Sequence, residues 1–143
     1  MPKNTVAVVA HVGPRSADQS MSGPWALSAL AALGQPTRLD IFRLLMRREP
    51  EGLSAGAIAE EVGSAHNTLS THLAILARAG LVQGTRDGRS IIYRADIEGM
   101  RALVSFLIMD CCDGHPELCN LLGKANPSDG GCGPGGKSVK RRK

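Results

Sequence analysis

The sequence predicts a mainly α-helical domain carrying one small β-hairpin, and three observations make that prediction. Apolar residues recur at helical spacing through most of residues 24–112. Aromatic residues are only 3% of the chain, whereas Ala, Leu and Gly are abundant, which suits a core of small and aliphatic side chains on helices. Against this background, LVQGTRDGRSIIYR carries strand-type residues on both sides of an Asp87-Gly88 turn, the strongest hairpin signal in the chain. At 143 residues the chain has room for one domain with a modest core and two tails.

Each element has its own signal. Residues 1–22 are polar or weakly apolar and read as a flexible arm. Pro24 suits the first position of a helix in which WALSALAAL carries Trp25, Leu27, Leu30 and Leu33, until Gly34 and Pro36 interrupt it. A second helix opens at Pro36, with Leu39, Phe42, Leu45 and Met46 expected on its inner face. SAGAIAEEVG is a short helix with Ser54 as N-cap and Gly63 as stop. Ser64 is expected to cap the next, AHNTLSTHLAILARAG, where Leu69, Leu73 and Leu76 point inward and Asn67, Ser70, Thr71, Ala74 and Arg78 point outward. Asp96 caps a final helix that is apolar nearly all round from Met100 to Met109, so a second surface, that of a homodimer partner, is expected to cover it. The folded domain is placed at residues 23–122, and residues 123–143 read as a disordered Gly-rich basic tail.

The net charge of +4 is misleading as a sign of nucleic-acid binding, because residues 126–143 supply all of it. Residues 24–125 hold ten basic and eleven acidic groups. The informative charge is local: residues 64–94 carry Arg78, Arg86, Arg89 and Arg94 against Asp87 alone. The weakly apolar N-terminal run is short for a signal peptide and no segment approaches a membrane span of about 20 residues, so the expectation is a cytoplasmic protein. In a reducing compartment four cysteines are better read as ligands, redox thiols or buried apolar groups than as a disulfide framework. No Cys-x-x-Cys, phosphate-binding loop or acid/base cluster argues for an enzyme.

A short helix, a tight turn, a second helix with a small polar face and then a hairpin tipped with arginines make a winged helix-turn-helix. In such a fold the second helix enters the major groove of DNA and the wing meets phosphates or the minor groove. The stretches ALGQPTRLDIFRLL, LSAGAIAEEVGSAHNTLSTHLAILARAGLV and RDGRSIIYR together resemble the ArsR/SmtB family of metalloregulatory repressors, over roughly residues 25–112. The resemblance implies a homodimer formed by the first and last helices, occupying double-stranded operator DNA until an inducer binds. It also implies that Ser64, His66, Asn67, Ser70 and Thr71 face DNA, with Arg86 and Arg89 in the wing; Arg78 joins them from the outer face of the helix.

One departure moves the sensing chemistry. Many members carry Cys-x-Cys in the first helix of the motif, whereas this chain has LSAGAIAEE there, and the last helix lacks the spaced Asp and His of the family's zinc sites. The remaining candidates are Cys111, Cys112 and Cys119 in DCCDGHPELC. Three thiolates without a fourth ligand suit As(III), with Sb(III) and methylated As(III) as alternatives, better than zinc, which takes four. Adjacent side chains on a helix diverge by about 100°, so Cys111 and Cys112 can meet on one ion only where the helix ends. Gly114 and Pro116 are expected to make that break and to bring Cys119 back toward the pair. The layout resembles one branch of the family, whose arsenic site lies at the end of the last helix. The same thiols could instead be buried as small apolar groups or serve a redox switch. Cys132 is read as lying on a flexible tail, from which it could still serve as a fourth ligand, and His115 as an exposed loop residue.

Overall fold

The computed structural model describes residues 23–120; the expected arm, the tail and Cys132 lie outside them. The elements run α1 (Gly23–Leu33), α2 (Pro36–Arg47), β1 (Leu53–Ser54), α3 (Ala55–Val62), α4 (His66–Arg78), β2 (Val82–Asp87), β3 (Ser90–Ala95), α5 (Ile97–Phe106), a π-helical turn (Leu107–Cys111) and α6 (Pro116–Cys119). They fall into two compact units that part between Leu103 and Val104, within α5.

The first unit is built around α4. Leu69, Leu73 and Leu76, at the expected helical spacing, are 1% exposed or less, and with Ile41, Leu45, Ile58, Leu81 and Val82 they are the largest fully buried side chains. Each such burial contributes about 1.5–3 kcal/mol, so this face fixes the helix. In α2 the inner arc is Ile41, Phe42, Leu44 and Leu45, whereas Leu39 and Met46 are 40% and 39% exposed. The expected inner face is corrected by rotation, because Ile41 and Leu44 complete a compact arc that Leu39 and Met46 only flank. In α1 the alanines Ala26, Ala29 and Ala32 are buried, while Leu27 is 69% and Leu30 41% exposed. A stripe of small side chains lets α1 lie close against its neighbours and leaves Leu27 and Leu30 largely without cover in the single chain.

The helix-turn-helix joint follows its caps. Ser54 Oγ accepts the Ala57 N–H at 3.3 Å, and Gly63 ends α3 at φ 70°, a left-handed conformation that costs glycine little. Ser64 does not cap α4 as expected. Ala65 holds the N-cap position with no side-chain hydrogen bond, and the Ser64 hydroxyl donates to the Ala65 carbonyl at 3.4 Å.

In the hairpin, Asp87 pairs with Ser90, so the two-residue turn is Gly88-Arg89, one position later than expected. Gly88 sits at φ 60°, which the first central position of a II′ turn demands and which Asp87 would resist. The hairpin gains a third strand: β1 pairs with β3 through Leu53↔Tyr93 and Ser54↔Ile92, in the order β1-β3-β2. Two residues are too few for alternation to reveal.

Asp96 caps α5 as expected. It is 3% exposed and its carboxylate accepts the Gly99 N–H at 2.8 Å. In the second unit the helix widens: the Cys112 N–H donates to the Leu107 carbonyl, five residues back, at 3.0 Å. Asp113 then takes φ 55°, and four residues of α6 close the described chain. Ile108 is buried, Val104, Phe106 and Leu107 are half-buried, and Met109 is exposed.

Candidate nucleic-acid interface and thiol site

The outer side of α4 is polar and open. His66, Asn67, Thr68, Thr71 and Arg78 are exposed, and Ser70 is half-buried, as is Ser64 just before the helix. The hydroxyls are already committed as donors: Ser70 Oγ donates to the His66 carbonyl at 3.1 Å and Thr71 Oγ1 to the Asn67 carbonyl at 3.4 Å. Their free lone pairs therefore face outward as acceptors. Asn67 is arranged the opposite way, since its Oδ1 accepts the Thr68 N–H at 2.9 Å and leaves the amide NH2 to donate. His66 stands apart from this line, with Nε2 packing against the Gly56 position of α3. Thr68 was not singled out by the sequence reading. Its exposure could have been read from its place one residue before the inward Leu69.

The arginines divide into two groups. Arg48 pairs with Glu61 at 2.8 Å, Arg43 with Asp40 at 3.9 Å and Arg101 with Glu98 at 3.5 Å. Arg38 Nε donates to the Ala32 carbonyl and Arg94 Nε to the Pro50 carbonyl, each at 2.7 Å. Among the described residues, Arg47 at the end of α2, Arg78 at the end of α4, Arg86 on β2 and Arg89 in the turn have neither an ion pair nor such a hydrogen bond, and all four are exposed. The uncommitted cations of α4 and the wing are thus the ones the sequence singles out for DNA.

His72, also on α4, is half-buried and its Nδ1 is buried without a hydrogen-bond partner. Burial, and secondarily the Arg38 guanidinium, pulls its pKa below the usual imidazole range.

At the other end of the chain, Cys111 is exposed and Cys112 half-buried, both as free thiols. Partial burial, and secondarily the neighbouring Cys111, push the Cys112 thiol up from its ordinary value. Cys112 closes the widened turn at φ −104° and ψ 12°, outside α geometry, a few residues before Gly114. Cys119 is 8% exposed and engaged in a disulfide, and its Sγ lies 3.3 Å from the Gly114 carbonyl oxygen. Among the described residues no three His, Cys, Asp or Glu side chains are gathered to hold a metal ion. The vicinal pair fits a thiophilic centre as two donors, and Cys119 does not stand with it as a free thiol.

Fold and surface together define a winged helix-turn-helix protein. The family described as a helix-turn-helix domain matches residues 33–85. The chain is 33% identical over 86 residues to the HTH-type transcriptional regulator YgaV of Escherichia coli, covering 60% of this chain and 85% of YgaV. It is 40% identical over 86 residues to the HTH-type transcriptional regulator KmtR of Mycobacterium tuberculosis, covering 60% of this chain and 64% of KmtR, just under two thirds of that relative's length. Among solved structures it is similar to the homodimeric winged helix-turn-helix DNA-binding domain Mb0332 of Mycobacterium bovis, described as a possible ArsR-family transcriptional regulator, with 28% identity, TM-score 0.51, and 74% and 92% of the two chains covered. It is also similar to a "possible transcriptional regulator for arsenical resistance", with 27% identity, TM-score 0.51, and 69% and 97% covered. The chain belongs to the ArsR/SmtB family of helix-turn-helix transcriptional regulators. No helix of the described residues is long and apolar enough to cross a membrane.

Proposed function

We propose that the protein is a cytoplasmic, homodimeric transcriptional repressor that holds operator DNA and releases it when Cys111, Cys112 and Cys119 bind As(III), with Sb(III) or a methylated As(III) compound as alternative inducers. The observation that carries the DNA half is the concentration of uncommitted exposed arginines, Arg78, Arg86 and Arg89, beside the polar face of α4. Asn67 would donate to an acceptor on a base edge, such as a purine N7, while Ser70 and Thr71 would accept from adenine or cytosine amino groups. Ser64 and His66 belong to the same interface at its N-terminal edge. The exposed Leu27 and Leu30 of α1 support a second copy as the dimer partner.

What supports the thiol half is the pair of adjacent free thiols, Cys111 and Cys112, at a turn that follows α5 and leaves α geometry. The reading requires reduced Cys119 to join them. A ligand shifts an equilibrium only by its differential affinity for the two states, so As(III) must favour a helix end unlike the DNA-binding one. A second reading has its own observation: two free thiols beside a cysteine held in a disulfide suit a redox-sensing regulator of the same fold. Titrating the reduced protein on DNA upstream of its own coding region, with arsenite and separately with peroxide, tests both. Release by arsenite alone supports the metalloid reading, release by peroxide alone supports the redox one, and release by neither excludes both.

A further inference from the structure

Trp25 is the sole tryptophan of the chain, and it joins α1 to the far end of α4. Its indole Nε1–H donates to the carbonyl of Ala79 at 3.1 Å. Ala79 is the C-cap of α4 and is 4% exposed. The helix end is otherwise closed by its own chain, with the Gly80 N–H donating to the Ala77 carbonyl and the Leu81 N–H to the Leu76 carbonyl, each at 3.0 Å. The Ala79 carbonyl thus points away from the helix ladder and is met by a side chain 54 positions earlier. The opposite end of α1 is also fastened, because Arg38 Nε takes the Ala32 carbonyl at 2.7 Å and its guanidinium lies near His72 of α4. Between these fastenings the α1 face is alanine, at 0–1% exposure, which seats the helix closely but offers no interlocking side chain to set its position along α4.

We propose that Trp25 is a positioning residue: its indole N–H sets the placement of α4 against α1, and through it the angle at which Asn67, Ser70 and Thr71 are presented. The inference rests on the reading of α4 as the DNA-recognition helix. It assigns a role in recognition to a residue on the opposite side of α4 from the polar face.

Because the chain has one tryptophan, replacing every tryptophan by benzothienylalanine during expression exchanges the N–H of this residue for sulfur and keeps the ring shape. Trp25→Phe is a second, genetically encoded way to remove the donor. In the full-length protein, amide hydrogen exchange at Gly80 and Leu81 should speed up about fivefold while Ile41 and Leu45 in α2 stay unchanged, the scale expected for one net hydrogen bond. Operator affinity should fall about fivefold, with affinity for unrelated DNA unchanged. Exchange at Gly80 and Leu81 identical to the native protein would overturn the inference, whether or not the protein prefers its operator. So would faster exchange with full operator preference, or a parallel loss on both DNAs together with the helical circular-dichroism signal. Native protein that shows no preference between the two DNAs would refute the recognition reading instead, and would take with it the role in recognition claimed for Trp25.

Discussion

Helix α4 and the cysteine turn are constructed in opposite ways. Along α4 every inward position, Leu69, Leu73 and Leu76, is sealed at 1% exposure or less, so the outward side chains ride on a cylinder fixed by the core. Residues 107–119 pass instead through a π-helical turn, a non-glycine residue at φ 55° and a four-residue helix, with only Ile108 and Cys119 buried. A surface that reads a stiff duplex gains from being preorganised, since every group it must order on binding subtracts from affinity. A segment that gathers thiols around a ligand gains from elements that can rearrange, and π-turns are frequent at such places.

The largest expected effect would break the comparison at its base. Leu73→Ala should cost about 2–5 kcal/mol in urea unfolding, because the cavity opens under α4, whereas Cys111→Ala, at an exposed position, should stay within about 0.5 kcal/mol. Equal losses would mean that the cysteine turn is as deeply built into the fold as α4. Next in size, Asn67→Ala should lower operator affinity by about 1–3 kcal/mol without moving the thermal midpoint; a gel shift with unchanged preference would remove Asn67 from the reading face. Arg89→Ala should weaken binding to all sequences alike and reduce the salt slope by about one unit. An unchanged slope would take the wing turn off the phosphate contacts.

The smallest effect concerns His72. With its folded pKa held below the unfolded value of about 6.5, the unfolded chain takes up the proton first as the pH falls. Stability from this site is therefore complete above that value and declines below it, until the folded imidazole also protonates. His72→Gln should flatten the fall in urea midpoint between pH 7 and 5, and an equal fall in both proteins would show that other groups govern acid unfolding.

These contrasts also mark what could be read from the residues alone. The inner face of α4, the Ser54 and Asp96 caps and the Gly63 stop were legible because each depends on spacing or on one side chain bonding to nearby backbone. The orientation of α1 was not, because a helix with both an alanine and a leucine stripe can bury either, and only its neighbours decide. Strand β1 escaped notice because two residues hold no period, and the hairpin turn shifted by one because both Asp87-Gly88 and Gly88-Arg89 contain the needed glycine. The outward polar face of α4 was visible, but not that its hydroxyls are spent on its own carbonyls. The helix break that would let Cys111 and Cys112 share one ion is expected at Gly114 and Pro116; the helix widens already from Leu107, in an apolar run with no breaker in it.

Whether a thiol segment that rearranges governs a fixed DNA-reading surface is decided by one titration. Operator affinity is measured with and without arsenite for the reduced native protein and for Cys111→Ser, Cys112→Ser, Cys119→Ser and Cys132→Ser. Arsenite should weaken native binding about 5- to 150-fold, the span of a coupling of about 1–3 kcal/mol. The first three variants should bind DNA normally but lose that response, while Cys132→Ser keeps it. Normal release from Cys111→Ser and Cys112→Ser would rule out control of DNA binding by these thiols.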